Sequence, residues 1–389
     1  MPNIDLIDSF ADDLTSIRRD LHAHPEIGFE EHRTSGIVAE KLAQWGIEVH
    51  RGLGGTGVVG VLKGKGDSGR RIGLRADMDA LPMEEHTNLS WRSTVPGRFH
   101  GCGHDGHTTM LLGTARYLAQ TRNFDGTVAF IFQPAEEGLG GARAMLKDGL
   151  FEKFPVDEVY GLHNDPDLDL GQVSVFPGAS MAGADFFDIT IKGYGSHGAM
   201  PHNARDPVVI AMTLGQALQT IVSRNVHPLK SAVLSITQIH AGAAYNVVPG
   251  EAKLAGTVRA FDDGVRQLVR KRMRAIAAGM AAAFEVEIEV DIRDIFSVLV
   301  NHEEPAHAVA EVARGVVGGD NVITSPRPRM GSEDFADMLQ AVPGAYFWVG
   351  HGGSVPLHNP GYIFDDKMLP VGASLFSRLI ETRMPLAQA

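Results

Sequence analysis

The stretch Phe186-Phe187-Asp188-Ile189-Thr190-Ile191-Lys192 reads as a strand, and the elements after it decide the architecture. A helix is expected over 207–223, strands over 232–240 and 251–261, a helix over 264–283 and a strand over 285–293. That order, β-α-β-β-α-β, is the ferredoxin-like pattern. Upstream, short apolar runs at 57–63, 71–76, 127–133 and 159–163 alternate with helical spacing over 5–23 and 31–45. Downstream, a helix near 306–317 and a strand at 346–349 resume the same alternation. The expected fold class is therefore α/β: a largely parallel sheet flanked by helices, interrupted by an inserted α+β domain. The boundaries read as 1–184 and 296–389 for the two parts of the first domain and 185–295 for the insert.

Two cores suit the length, because 389 residues exceed the roughly 250–300 at which one core stops growing. Hydrophobic residues at 44% and charged residues at 21% are ordinary globular usage, which argues against disorder. A net charge of -12 leaves no basic field for phosphate backbones, so nucleic acid is not an expected partner. No run approaches about 18 uncharged apolar residues, so no membrane span is expected. The single cysteine, Cys102, cannot close an intramolecular disulfide, and residues 1–13 lack the basic and apolar regions of a secretion signal. A cytoplasmic location is the expectation.

Chemistry concentrates in His100-Gly101-Cys102-Gly103-His104-Asp105-Gly106-His107, a loop of small residues entering a helix expected over 108–120. Cys102 and His104 can face one side, and thiolate with imidazole suits zinc, manganese, cobalt or nickel far better than calcium. Glu136 and Glu137 end the strand 127–133. Their side chains diverge, so one can ligate a metal while the other works on a water. His163 and His358 stand at further strand ends, giving five candidate ligands: Cys102, His104, Glu137, His163 and His358. Asp77 and Asp79 could supply the carboxylate that fixes a ligand histidine's tautomer.

Other chemistries fit less well. Gly52-Leu53-Gly54-Gly55-Thr56-Gly57 matches a dinucleotide fingerprint but precedes a strand, so it reads as a turn. There is no G-x-S-x-G elbow and no H-E-x-x-H, and a Cys102–His104 thiol catalyst two residues apart on one loop has poor geometry.

Arg75–Pro82, His100–His107, Gln133–Gly138, Gly161–His163, Gly193–Gly198, Met330–Phe335 and Leu357–Pro360 occur in one order. In that order the chain resembles the dinuclear aminoacylase and carboxypeptidase peptidase family, in its amidohydrolase branch. The resemblance spans essentially the whole chain. It implies two divalent ions on Cys102, His104, Glu137, His163 and His358, with Cys102 bridging where many relatives use a carboxylate. It places the general base on Glu136 and the orienting carboxylate on Asp79, with Asp77 the alternative. The insert resembles the family's satellite, or lid and dimerisation, domain. There His197 matches an oxyanion-stabilising histidine often supplied across a dimer interface, and Asn246 and Arg259 match groups that bind a substrate carboxylate. The implied activity is hydrolysis of the amide bond of N-acyl amino acids by a homodimer or higher homo-oligomer. A dipeptidase or carboxypeptidase would share the chemistry, and a non-catalytic amino-acid or metal-binding protein would not need Glu136.

Overall fold

The computed structural model describes residues 3–387. The chain divides into two compact units, one containing the residues up to Gly178, Val300–Arg327 and the chain from Asp334 on, the other Ala179–Leu299 and Pro328–Glu333.

The first unit is built on an eight-stranded sheet in the order Glu48–Leu53, Gly57–Lys63, Asp125–Gln133, Gly66–Asp77, Glu158–Asp165, Gly344–Gly350, Val173–Ser174, Val322–Ile323. Its four middle strands, from Asp125–Gln133 to Gly344–Gly350, are mutually parallel. Glu48–Leu53, Gly57–Lys63 and Val173–Ser174 run antiparallel to their inner neighbours. The middle strands are apolar on both faces, as burial between helical layers requires: Ile72, Leu74, Val128, Phe130, Phe132 and Tyr160 are buried on one face, Ala129, Ile131 and Val159 on the other. Helix His104–Thr121 packs against strand Gly66–Asp77 and against helices Ala11–Ala23 and Met368–Arg383. The glycine-rich stretch at 52–57 is the turn between the first two strands. Gly52, Gly54 and Gly55 have φ of 93°, 60° and 89°, a left-handed region open mainly to glycine.

The second unit is a four-stranded sheet, antiparallel throughout, in the order Ala232–Ala241, Glu251–Ala260, Gly183–Lys192, Glu287–Phe296. Its two helices, Pro207–Arg224 and Asp263–Phe284, start where aspartates cap them: Asp206 accepts from the Val208 and Val209 N–H groups, Asp262 from that of Val265. Leu214, Leu218 and Ile221 from one helix and Val269 and Met273 from the other bury against Ile189, Ile191, Leu254 and Val258 of the sheet.

Several elements differ from their sequence-based bounds. The expected helix at 5–23 is two, Asp5–Asp8 and Ala11–Ala23, because Phe10 leaves helical geometry (φ −121°, ψ 20°) while burying its ring. The last strand of the insert begins at Glu287, since Glu285 turns left-handed (φ 53°) to end the preceding helix. The insert, read as 185–295, begins as a compact unit at Ala179, ends at Leu299, and recruits Pro328–Glu333. Backbone bonds explain the recruitment: Arg329 N donates to Ser180 O (2.9 Å), and Ala182 N lies 3.0 Å from both Arg329 O and Gly331 O. Among the described residues, no helix is long and apolar enough to cross a membrane.

Candidate active site

The cysteine loop is shaped by Gly103. Its φ of 89° is left-handed, and a Cβ there would lie 2.3 Å from Asn164 Oδ1, so a larger residue would be excluded twice over. This turn starts the helix at His104, four residues earlier than the spacing suggests, and fixes the His104 ring at the helix N-terminus. Two further ligand-bearing segments hold non-glycine residues in left-handed backbone: Ala135 (φ 54°), just before the glutamate pair, and His358 (φ 61°). Such strain persists where surroundings over-determine it. Ala135 N is held by Glu31 Oε1 (2.8 Å), and His358 N donates to Gly101 O (2.9 Å), tying the histidine loop to the cysteine loop.

The five expected ligands of this unit converge. Cys102 Sγ lies 3.4 Å from His163 Nε2 and 3.3 Å from His358 Nε2. Glu137 Oε1 lies 3.3 Å from His358 Nε2 and 3.8 Å from His104 Nε2. Two donor groups, Cys102 with His104 and His163, and Cys102 with Glu137 and His358, each bring one ligand atom per residue within 4.8 Å of the others, and Cys102 belongs to both. His104 Nε2 is buried with no hydrogen-bond partner among the described residues, an unfavourable state for a polar atom unless a cation meets it, and the buried Glu137 Oε1 has imidazole nitrogens as its near neighbours. The donor set and the orphaned His104 nitrogen fit divalent metal ions, which these residues would hold.

The rings are aimed by their other nitrogens. His163 Nδ1 is 2.6 Å from Asn164 O, so it carries the proton and presents a bare Nε2. His104 Nδ1 is 3.3 Å from Asp79 Oδ1, and Asp79 Oδ2 accepts from Glu137 N at 3.0 Å. Asp77 has its hydrogen bonds with Arg75 Nη1 at 2.7 Å and His107 Nδ1 at 2.6 Å, while its Oδ2 lies 3.8 Å from His104 Nε2. His107 belonged to the cysteine-loop motif but carried no expected role; it is buried between Asp77 and Asn164 Oδ1 (2.7 Å), its ring 4.4 Å from that of His163. A polar residue three positions after a ligand on the same helix was the available signal.

Protonation obeys the same electrostatics. Burial pushes the Cys102 thiol up, with Glu137 adding to it. Burial, then His107, keeps His163 well below the usual histidine range, hence neutral. Hydrogen bonds to Cys102 and then Glu137 raise His358 to about 10. Burial opposes the charging of His104, but Asp77 and Cys102 outweigh it and hold that ring well above its ordinary value. Both raised histidines owe the shift to Cys102 and the neighbouring carboxylates. Glu136 is buried beside this cluster, with Asp334 N 3.4 Å from its Oε1.

His197, Asn246 and Arg259 lie in the second unit. His197 is exposed, on a short strand paired with Val247–Val248, and Gly198 N donates to Asn246 O (2.7 Å), so these two residues share one exposed edge. Ala199 N donates to His197 Nδ1 at 3.0 Å, which places the proton of a neutral ring on Nε2, outward. Arg259 is half-buried on strand Glu251–Ala260.

The chain matches peptidase family M20/M25/M40 over residues 73–382. It is 46% identical over 363 residues to a hippurate hydrolase of Campylobacter jejuni, covering 93% of this chain and 94% of that one. To an N-acetylcysteine deacetylase of Bacillus subtilis it is 40% identical over 368 residues, covering 94% and 95%. The crystal structure of the Bacillus subtilis YXEP protein, described as a dinuclear metal binding peptidase, superposes with a TM-score of 0.85 at 36% identity, covering 98% of this chain and 99% of that one. With more than half of its length matched and relatives of this identity along nearly all of it, the chain belongs to peptidase family M20/M25/M40.

Proposed function

We propose that this chain is a metal-dependent amidohydrolase that cleaves N-acyl amino acids, of the hippurate or N-acetyl type, to a carboxylate and a free amino acid. The observation that carries the reading is the buried His104 Nε2, which has no hydrogen-bond partner among the described residues, beside Glu137 and a cysteine shared by two donor groups, with a second glutamate, Glu136, next to them. Cys102, His104, Glu137, His163 and His358 would hold two divalent ions, zinc, manganese, cobalt or nickel. When bound, such ions polarise a carbonyl oxygen and acidify water.

The residues supply the remainder. Glu136 takes a proton from water as its oxygen attacks the amide carbon. His197 Nε2–H donates to the oxyanion of the tetrahedral species. Glu136 then passes its proton to the amide nitrogen, the C–N bond breaks, and acid and amine leave. Arg259 and Asn246 bind the carboxylate of the amino-acid half through charge-assisted hydrogen bonds. Asp79 orients His104. The insert serves as lid and as the surface through which a cytoplasmic homodimer forms.

The test is a panel of N-acetyl, N-benzoyl and fatty-acyl amino acids and of dipeptides, assayed for released amine after reconstitution with each metal. Turnover of acyl amino acids above dipeptides supports the reading, preference for dipeptides makes the enzyme a dipeptidase, and no turnover with any bound metal overturns it.

A further inference from the structure

We propose that Ser332 is a positioning residue that sets the Arg259 guanidinium for the substrate carboxylate, and so determines specificity for acids over neutral analogues. The inference rests on the proposed role of Arg259 in binding that carboxylate. Three other arginines of this unit have carboxylate partners: Arg266 pairs with Asp185 (2.6 Å) and Asp294 (2.7 Å), Arg270 with Asp294 (3.0 Å), and Arg293 with Asp188. Arg259 has none among the described residues. Its Nη1 donates to Ser332 Oγ at 2.6 Å and lies 3.4 Å from Met330 O.

Ser332 is itself fixed. Its hydroxyl donates to Ala182 O at 2.7 Å, so the single proton is committed and a lone pair must face Arg259. The strap Pro328–Glu333 is held by the backbone bonds of Arg329 and Gly331 to Ser180 and Ala182. With Nη1 pinned, Nε and Nη2, one two-nitrogen edge of the guanidinium, stay open for a bidentate carboxylate. Arg259 lines a cavity of about 330 Å³ whose other walls include Phe186, Thr257 and the Asp188–Arg293 pair. Thr257 stands two residues before Arg259, on the same sheet face, and its buried hydroxyl has no protein partner, as expected of a wall built to meet a polar ligand.

The experiment compares the best N-acyl amino acid from the panel with its carboxamide, on metal-loaded enzyme with an unchanged melting profile. Ser332→Ala should raise KM for the acid about tenfold, the worth of one hydrogen bond to a charged group, with little change in kcat and none in carboxamide KM. Ser332→Thr, which keeps the hydroxyl, should recover most of the loss. Arg259→Ala is the control and should abolish acid-over-carboxamide preference. If it does so while Ser332→Ala leaves acid KM unchanged, or if Ser332→Ala weakens both substrates alike, the positioning role is overturned and the Arg259 reading stands. If Arg259→Ala keeps the preference, the Arg259 reading itself fails.

Discussion

Asp79 holds His104 with one carboxylate oxygen, at 3.3 Å from Nδ1, and the backbone of Glu137 with the other, at 3.0 Å. One side chain thus sets the ring of one proposed ligand and the main chain of another. Asp77, two residues earlier, is fully buried between Arg75 and His107. Asp79→Asn should therefore weaken metal binding by about 10–100-fold, as losing an orienting carboxylate does. Asp77→Asn should mainly lower the melting temperature. Chelator competition on both variants checks the division, and the reverse ranking of affinities would move the orienting role to Asp77.

Glu136→Gln should keep both metals and lose about 10²–10⁴-fold in turnover, because an amide of the same shape cannot take a proton and none of the proposed ligands is touched. Metal content by elemental analysis, read beside kcat, decides it. A variant turning over near the wild-type rate removes Glu136 as the base.

Cys102→Ser tests the shared sulfur. Since Cys102 belongs to both donor groups, the substitution should lower occupancy of both ions together, and oxidation of the thiol should inactivate the enzyme by removing the same soft donor. Full occupancy by two ions in the serine variant would take the sulfur out of the bridging position.

Stability should depend on pH through a pair behind the site. His22 Nδ1 lies 2.8 Å from Asp105 Oδ2, and Nε2 lies 3.3 Å from Glu85 Oε1. Burial opposes the charged ring, but Asp105 outweighs it and raises His22 to about 9. A folded-state value above the unfolded 6.5 means that the stabilisation is complete below pH 6.5 and is lost as pH rises through about 9. The shift corresponds to roughly 3 kcal/mol. Asp105 is depressed through the same contact, which counts once. Thermal midpoints between about pH 6 and 10 should fall more steeply for the wild type than for His22→Asn, and equal slopes would discard the pair as the source.

Much of this was legible in the sequence because buried strands and capped helices announce themselves locally. The strand Gly57–Lys63 has the bounds its apolar run suggests, and Asp206-Pro207 marks a helix start to the residue. The ligand candidates were legible only together, since a strand-end histidine or a glutamate pair is commonplace alone and their joint occurrence with one cysteine is not. Contacts between segments distant in sequence were not. Nothing in Pro328–Glu333 announces that it folds with a unit whose main stretch ends at Leu299, since its bonds to Ser180, Ala182 and Arg259 all reach residues distant in sequence. The His107 partner of Asp77 was hidden for the same reason, whereas Arg75, two residues away on the same strand, shares its face by the strand period.

His197 carries the last prediction. Its Nδ1 accepts from Ala199 N, so the donor left to meet an oxyanion is Nε2–H, on an exposed edge of a unit that holds none of the five proposed ligands. His197→Ala should depress kcat by about 10²–10³-fold, the range for losing one oxyanion donor, with metal content and acid KM nearly unchanged. His197→Gln should recover part of the rate, because its amide N–H can still donate. Mixing inactive His197→Ala and Glu136→Gln chains under conditions of subunit exchange then identifies the source of the donor. In a mixed dimer with the histidine supplied by the partner, one composite site is complete and activity returns; with the histidine supplied by its own chain, every site lacks one group and none returns. Wild-type turnover in His197→Ala alone removes the residue from the mechanism in either arrangement.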